Sequence, residues 1–295
     1  MANKYLGRED APISAAVWEK LDAVMIEAAK SQLVGRRLLH IEGPYGLGLK
    51  AIPLEDISVD IQWEESPQEP QGSEEAPMPE EVSELEEEVY PAEVIVSGTI
   101  PVALISTGFS LGMRDLASYE RAGVAMDLAN VAEAAIACAR AEDDLIFNGS
   151  TAVGTNGLLN VPGSHTVKLS AWKKAGEAAD DLINALTVLD NSGFHGPYCL
   201  ALAPRRYNLL YRRYPQGDLT ELAHLQSIVT AGIFKAPILK EGGVLLASGR
   251  QYASMVIGQD MAIGFIGPSD GDLEFSISES LALRVRQPKS ICVLA

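Results

Sequence analysis

The chain has 295 residues, 47% hydrophobic and 21% charged, an ordinary globular composition with room for one large core or two medium ones. Its 23 Lys and Arg stand against 40 Asp and Glu, and a formal net charge of −17 repels phosphate backbones and argues against a nucleic-acid partner. No apolar run approaches the ~18–20 residues that span a bilayer, and the opening MANKYLGREDAPIS has no apolar signal region, so the expected setting is the cytoplasm with no membrane partner.

Residues 14–31 are predicted as an amphipathic helix, capped by Ser14, with Val17, Leu21, Val24 and Ala28 on one face. Gly35 and the GPYG of 43–46 break it. Between Lys50 and Arg114 there is no Lys or Arg, and 12 acidic residues fall within 64–93. Removing those 12 from −17 leaves −5 for the rest of the chain. The same stretch holds Pro67, Pro70, Pro77, Pro79 and Pro91 and buries too little apolar surface to offset its ordering entropy, so 62–93 is expected to be a solvated, mobile insertion.

Residues 92–111 are rich in β-branched side chains, interrupted by Gly98 and Pro101, and read as an extended, edge-like hairpin arm. The Ala-rich, Pro-free stretch 118–147, closed by Asn148-Gly149, reads as a single spine helix, about 30 residues and ~45 Å long. Ser170 is predicted to open another helix, with Leu182, Ile183, Leu186 and Leu189 on one face and Gly193 beyond its end. Pro204 starts a short helix, and Asp218 with Glu221 forms a capping pair for one that stops at Gly232. From 244 onward VLLAS, SMVIGQD, LEFSISES, LALRVR and ICVLA read as strands. Many short strands beside few long helices predict an α+β fold.

Chemical motifs are sparse. Cys138, Cys199 and Cys292 are far apart and odd in number, which fits buried thiols better than disulfides or a zinc site. GFSLG (108–112) matches the GxSxG elbow of serine hydrolases, but that motif works behind several βαβ units, which are missing here. ELAH (221–224) matches half of a di-iron carboxylate site without a second half. GPYGLGLK (43–50) resembles a phosphate loop, with its Lys one position late and no Ser or Thr behind it. A tight turn with positive backbone angles accounts for it equally. His40, His165 and His195 are isolated, without metal-ligand spacing.

QLVGRRLLHIEGPYGLG (32–48), AEDDLIFNG (141–149), GLLN (157–160), GPYCLALAP (196–204), VIGQDMAIGF (256–265) and FSISESLALRVRQPKSICVL (275–294) resemble, in order, the encapsulin shell proteins. The resemblance lapses over 62–93. It implies the tailed-bacteriophage major capsid fold, with a peripheral domain, an axial domain and an extended loop. It also implies a non-enzymatic protein that assembles with itself, sixty copies or a multiple, into a hollow icosahedral compartment. The shell itself would need no cofactor; the enclosed enzymes would handle iron or peroxide through iron, haem or di-iron centres.

By the same resemblance, residues 1–49 would hold an N-terminal arm and helix, 50–112 the extended loop, 113–148 the peripheral spine, 149–249 the axial domain and 250–295 the returning peripheral strands. A groove on the inner wall would take the short C-terminal peptide of the cargo, with Leu33, Arg36 and His40 on one side and Asp260, Met261 and Ile263 on the other. Leu33, Met261 and Ile263 serve equally well as core. Arg212, Arg213, Tyr214, Pro215, Gln216 and Gly217 would form the fivefold-pore loop, unless the two arginines pair instead with Asp218 or Glu221. The rival readings are a phage-type capsid protein, disfavoured by the lack of room for a scaffold segment near Met1 and by the acidic charge, and a serine hydrolase acting through Ser110.

Overall fold

The computed structural model of the protein describes residues 4–54, 98–215 and 217–295. The acidic insertion and Gln216 lie outside the described residues. Residues 53–99 form one unit, of which only Pro53, Leu54, Gly98 and Thr99 are described; 1–52 and 100–295 form the other.

Helix α1 (Ala15–Lys30) leads to the single turn α2 (Gly35–Leu38) and strands β1 (His40–Glu42) and β2 (Ala51–Pro53). Strand β3 (Thr99–Pro101) pairs with β2 and is followed by β4 (Ala103–Gly112), α3 (Met113–Ala122) and α4 (Ala129–Asn148). Next come the small ladder β5 (Gly149–Ser150) and β6 (Thr155–Asn156), then β7 (His165–Val167), α5 (Glu177–Asn191) and β8 (Tyr198–Leu202). Helices α6 (Pro204–Leu209) and α7 (Glu221–Gln226) precede β9 (Gly232–Lys235) and β10 (Gly243–Ala247). Strands β11 (Ala253–Ile257), β12 (Ala262–Ser269), β13 (Asp272–Val285) and β14 (Ile291–Leu294) close the chain.

The first sheet runs β1-β11-β13-β12, with β4 on the other edge of β13. Ile257 of β11 lies opposite Leu281, and Ala262 of β12 opposite Ser278, so β11 and β12 follow one edge of β13. Between them 258–261 bulge out against only Glu279 and Ser280. Along β13, Leu273, Phe275, Ile277, Glu279, Leu281 and Leu283 are all buried in the period-two row expected of a half-covered strand. Glu279 is the one charge in that apolar register.

Phe275 stacks on Phe109 of β4 (centroids 5.2 Å apart) and meets Trp18 of α1 edge-on at 5.7 Å. Each such buried side chain contributes about 1.5–3 kcal/mol, and together they hold α1 and α4 on this face. The second sheet runs β7-β14-β10-β8-β9. Every residue of β8 and β10 is buried, as the unbroken apolar runs YCLAL and GVLLA require. The apolar face of α5 (Leu182, Leu186, Leu189) packs in the same cluster as Leu200 and Leu245. A further cluster, with Phe147, Val244, Met255 and Leu281, draws on both sheets.

The α+β reading and the first helix stand, but its buried face is Val17, Leu21, Met25 and Ala29, with Val24 and Ala28 half-buried, and Ser14 makes no side-chain capping bond. The 118–147 spine is instead two helices. Gly123 takes a left-handed conformation (φ 67°) that stops α3, and the Asp127 carboxylate accepts from the Ala129 N–H (2.9 Å) where α4 begins. The helix after Ser170 begins at Glu177; Ser170 lies in a loop, its N–H donating to Asp181. Thr220, not Asp218, caps α7 through Ala223 N–H, and α7 ends at Gln226. LEFSISES and LALRVR are one strand, GQD is a turn rather than strand, and β12 adds an element. Residues 103–112 form an edge strand paired with β13 over their whole length rather than an arm standing off the sheet. GPYG is a turn with Gly43 and Gly46 at φ 109° and 99°, as its sequence suggested.

Candidate functional site

At the C-terminal end of α1 the chain turns through Leu33 and Val34 into α2. Asp143 of α4 fixes that turn by accepting from the N–H groups of Val34 and Gly35 at 2.9–3.1 Å. Its burial pushes the carboxyl pKa up to about 6, against the pull of those two donors. The turn aims Arg36 inward. Its guanidinium donates to both oxygens of Glu142 (2.7–2.9 Å), to Glu279 (2.8 Å) and to Asp260 (2.7 Å). Glu142 and Glu279 are wholly buried, whereas Asp260 is exposed.

One cation thus faces three carboxyl groups. Burial pushes Glu279 up to about 9, and the neighbouring Glu142 adds to this more than Arg36 removes. Burial beside another carboxyl thus favours the protonated form of Glu279, and Cys138 leans its thiol on the same carboxyl at 3.4 Å. Burial works against the charge of Arg36, yet Glu142 and Asp260 hold it there more firmly than in water.

The 258–261 bulge is pinned on its other side. Gln259 donates its N–H to Ser280 Oγ (2.8 Å) and its amide to Ser278 Oγ (3.0 Å), while Gly258 N–H reaches Ser280 O (2.7 Å). The GPYG turn lies alongside, with Tyr45 N–H on Ile257 O (3.0 Å) and Gly46 N–H on Gly258 O (2.6 Å). The fold so brings Arg36 to Asp260 and places Met261, half-buried, against Leu33 in a small apolar cluster with Ala29 and Ala139. His40 is exposed at the start of β1, opposite Ser254, and no described contact joins it to this cluster. Ile263 is fully buried beside Val17, Leu21 and Ile277, so it fills the core and offers no surface to a peptide. Glu142 and Glu279 belong to the site and were not among the expected residues.

The second expected site is a short hairpin, with Arg213 bridged to Thr220 and Tyr214 N–H on Leu219 O (3.1 Å). Arg212 points back into the protein, donating to Trp172 O (2.8 Å), Leu209 O (3.0 Å) and the wholly buried Glu221 (3.1 Å). It acts as a clasp between loops, and its guanidinium is not presented at the hairpin tip. Arg213 is exposed and 3.7 Å from the fully exposed Asp218. Tyr214 Oη bonds His224 Nδ1 (2.8 Å). Pro215 and Gly217 are exposed at the tip. Glu221 and His224 are thus engaged separately, and among the described residues no group of three His, Cys, Asp or Glu side chains gathers to hold a metal.

Ser110 is half-buried in β4 opposite Glu274, in a recess with Asp115, Asp127 and Asn130 that no histidine lines. A Ser–His contact exists elsewhere, Ser192 Oγ to His165 Nε2 at 2.9 Å, but Ser192 donates its proton to Val188 O (3.0 Å), which leaves His165 the donor and the hydroxyl unactivated. The three cysteines are free and buried, and burial pushes Cys199 up to about 12 and Cys292 up to about 11, which keeps them protonated and inert.

A family model described as an encapsulating protein for peroxidase matches residues 3–282. The type 1 encapsulin shell protein EncA of Myxococcus xanthus is 30% identical, over 98% of this chain and 96% of its own. A diheme-cytochrome–encapsulin shell fusion protein of Kuenenia stuttgartiensis is 28% identical, over 94% of this chain and 72% of its own. Among solved structures, a virus-like particle from Pyrococcus furiosus superposes with a TM-score of 0.70 at 22% identity, covering 95% of this chain and 99% of that one. The capsid of the Myoviridae phage XM1 does so with a TM-score of 0.50 at 17% identity, over 68% and 74%. The fold is the one shared by such particles and tailed-phage capsids.

Proposed function

Because the chain belongs to the encapsulin shell-protein family, we propose that it is a structural protein that assembles with copies of itself into a closed, hollow icosahedral compartment around cargo enzymes in the cytoplasm. The 30% identity to a type 1 encapsulin shell protein over 98% of the chain carries this reading. The surface agrees with it. Among the described residues strand β4 leaves one edge unpaired, and Leu104 and Ile266 are each 62% exposed, surface that a neighbouring copy would cover. In that assembly residues 50–112 would be the clamping extended loop, 149–249 the axial domain, and the 212–217 hairpin the pore loop.

The Arg36 cluster would be the floor of a cargo groove. Met261 would supply the apolar anchor, backed by the buried Leu33, with Arg36 and Asp260 the polar clips and His40 a more distant rim, for an extended C-terminal peptide. The cargo would carry iron or haem, a reading supported by the fusion of a relative's shell to a diheme cytochrome and by the family's description as encapsulating a peroxidase.

Size-exclusion chromatography with electron microscopy of the protein expressed alone tests the shell. Sixty copies of 31.5 kDa give about 1.9 MDa, and hollow particles of that mass or a multiple are expected. A species of one to a few chains under every condition would overturn the reading.

A further inference from the structure

A cavity of about 400 Å³ opens between the loop before α5, helix α6 and the turn before β10. Its wall carries five cations, Lys173, Arg205, Arg206, Arg212 and Lys240, against the single carboxylate of Glu241. With Glu241 on the wall and Glu221 paired to Arg212, a local excess of three positive charges remains in a chain of net charge −17.

Two of the cations are fixed in place. Arg212 is held by Trp172 O and Lys173 O (2.8 and 3.2 Å) and by Glu221. Arg206 lies over the Trp172 ring, 4.8 Å from its centroid, and donates to Ser170 O (2.6 Å). Trp172 is itself anchored by its indole N–H on Asp181 (2.8 Å) and sits at φ 50°, a left-handed backbone that a bulky residue adopts only when its surroundings impose it. The other three, Lys173, Arg205 and Lys240, are exposed at the mouth, and no described carboxylate lies in ion-pair range of any of them. Cations brought together from three segments repel one another, and an anion seated between them relieves that repulsion.

We propose that this cavity binds a small, multiply charged phosphate chain, with Arg206 and Arg212 as its fixed floor and Lys173, Arg205 and Lys240 closing on the outer oxygens. Bidentate and charge-assisted bonds to phosphate oxygens are what such a set of donors supplies. The volume suits a triphosphate-sized ligand. Arg206 already covers the Trp172 ring, which leaves no aromatic face for a base, so the phosphates and not a nucleoside are recognised. The inference does not depend on the shell reading.

Titration calorimetry of the purified protein at low ionic strength, with sodium tripolyphosphate, ATP and adenosine as probes, tests it. Saturable binding of tripolyphosphate and ATP with similar affinity, one per chain, is expected, and no binding of adenosine. The Arg205→Ala/Lys240→Ala variant alters only mouth residues and is expected to weaken tripolyphosphate binding at least about ten-fold. Lys30→Ala, on the exposed side of α1, should leave it unchanged. Absence of saturable binding, wild-type affinity in the double variant, equal weakening by Lys30→Ala, or adenosine binding would each overturn the proposal. Electron micrographs of the same samples read out assembly separately.

Discussion

Two arginines organise this protein, and each is set against a wholly buried glutamate. Arg36 meets Glu142 and Arg212 meets Glu221, with the guanidinium side chains 19% and 29% exposed. Their surroundings differ in sign. Around Arg36 the carboxyl groups of Glu279 and Asp260 converge as well, so acid is in excess and Glu279 absorbs it by staying protonated. Around Arg212 the remaining contacts are backbone carbonyls, and the neighbouring side chains Arg205, Arg206 and Lys240 are cationic. A surplus of buried acid is removed by a proton, because carboxyl groups titrate within reach of neutral pH. A surplus of base cannot be removed that way, since Arg and Lys hold their charge, so it stays at the surface, available to an anion.

The largest expected effect comes from removing the cation at the acidic cluster. Arg36→Ala leaves the buried Glu142 with no counter-charge and should cost about 3–5 kcal/mol, measured by denaturant unfolding or, in particles, as loss of soluble shells. Glu142→Gln added to Arg36→Ala should recover part of that loss, because it removes the carboxyl left without its counter-ion.

The protonation of Glu279 fixes the sign of a second prediction. Its folded value, about 9, lies above its ordinary 4.5, so the folded state binds more protons between those limits. Stability then falls as pH rises through that window, by at most about 1.4 kcal/mol per pH unit. Asp143, raised from 3.8 to about 6, acts with the same sign at lower pH, so thermal unfolding between pH 6.5 and 9 isolates Glu279. Glu279→Gln should flatten the profile there and be the more stable protein at pH 8. A wild-type slope retained in the variant would place the proton elsewhere.

Met261→Asp comes next in size for function and lower for stability. The side chain is half-buried against Leu33, so a carboxylate there should leave particles intact and abolish capture of cargo. Normal loading measured by co-purification would remove Met261 from the groove.

Much of this was legible in particular residues. The capsid-type fold was readable from ordered segments such as GPYG and GQD, which the structure places side by side. The apolar alternation of LEFSISESLALRV marks Glu279 as a charge in a buried register, and the Cys138–Glu142 spacing continues the buried face of α4 with an acid. Both signals are periodic anomalies that become a site only when two distant segments meet at Arg36. The helix break at Gly123 is masked in the sequence because an Ala-rich, Pro-free run has high helical propensity throughout, while the stop and restart rest on Gly123 and Asp127 alone. Ile263 differs from Met261 by two positions and one strand boundary, and burial of that kind follows from register with Ile277, which composition does not reveal.

Arg212 and Arg213 are adjacent, alike in chemistry and opposite in consequence. Arg212→Ala strands the buried Glu221, whose other oxygen still accepts from Gly176 N–H (2.7 Å), and should cost about 2–3 kcal/mol after allowance for partial exposure. Arg213→Ala removes a 3.7 Å contact to a fully exposed partner, where solvent screens the pair and two long side chains are freed, so unfolding should not change measurably. If 212–217 lines a pore, the same Arg213→Ala change should alter passage of small anions into loaded particles while leaving their stability alone. Equal destabilisation by the two variants would show that the hairpin tip is held by Arg213 as well, and would end the distinction between clasp and tip.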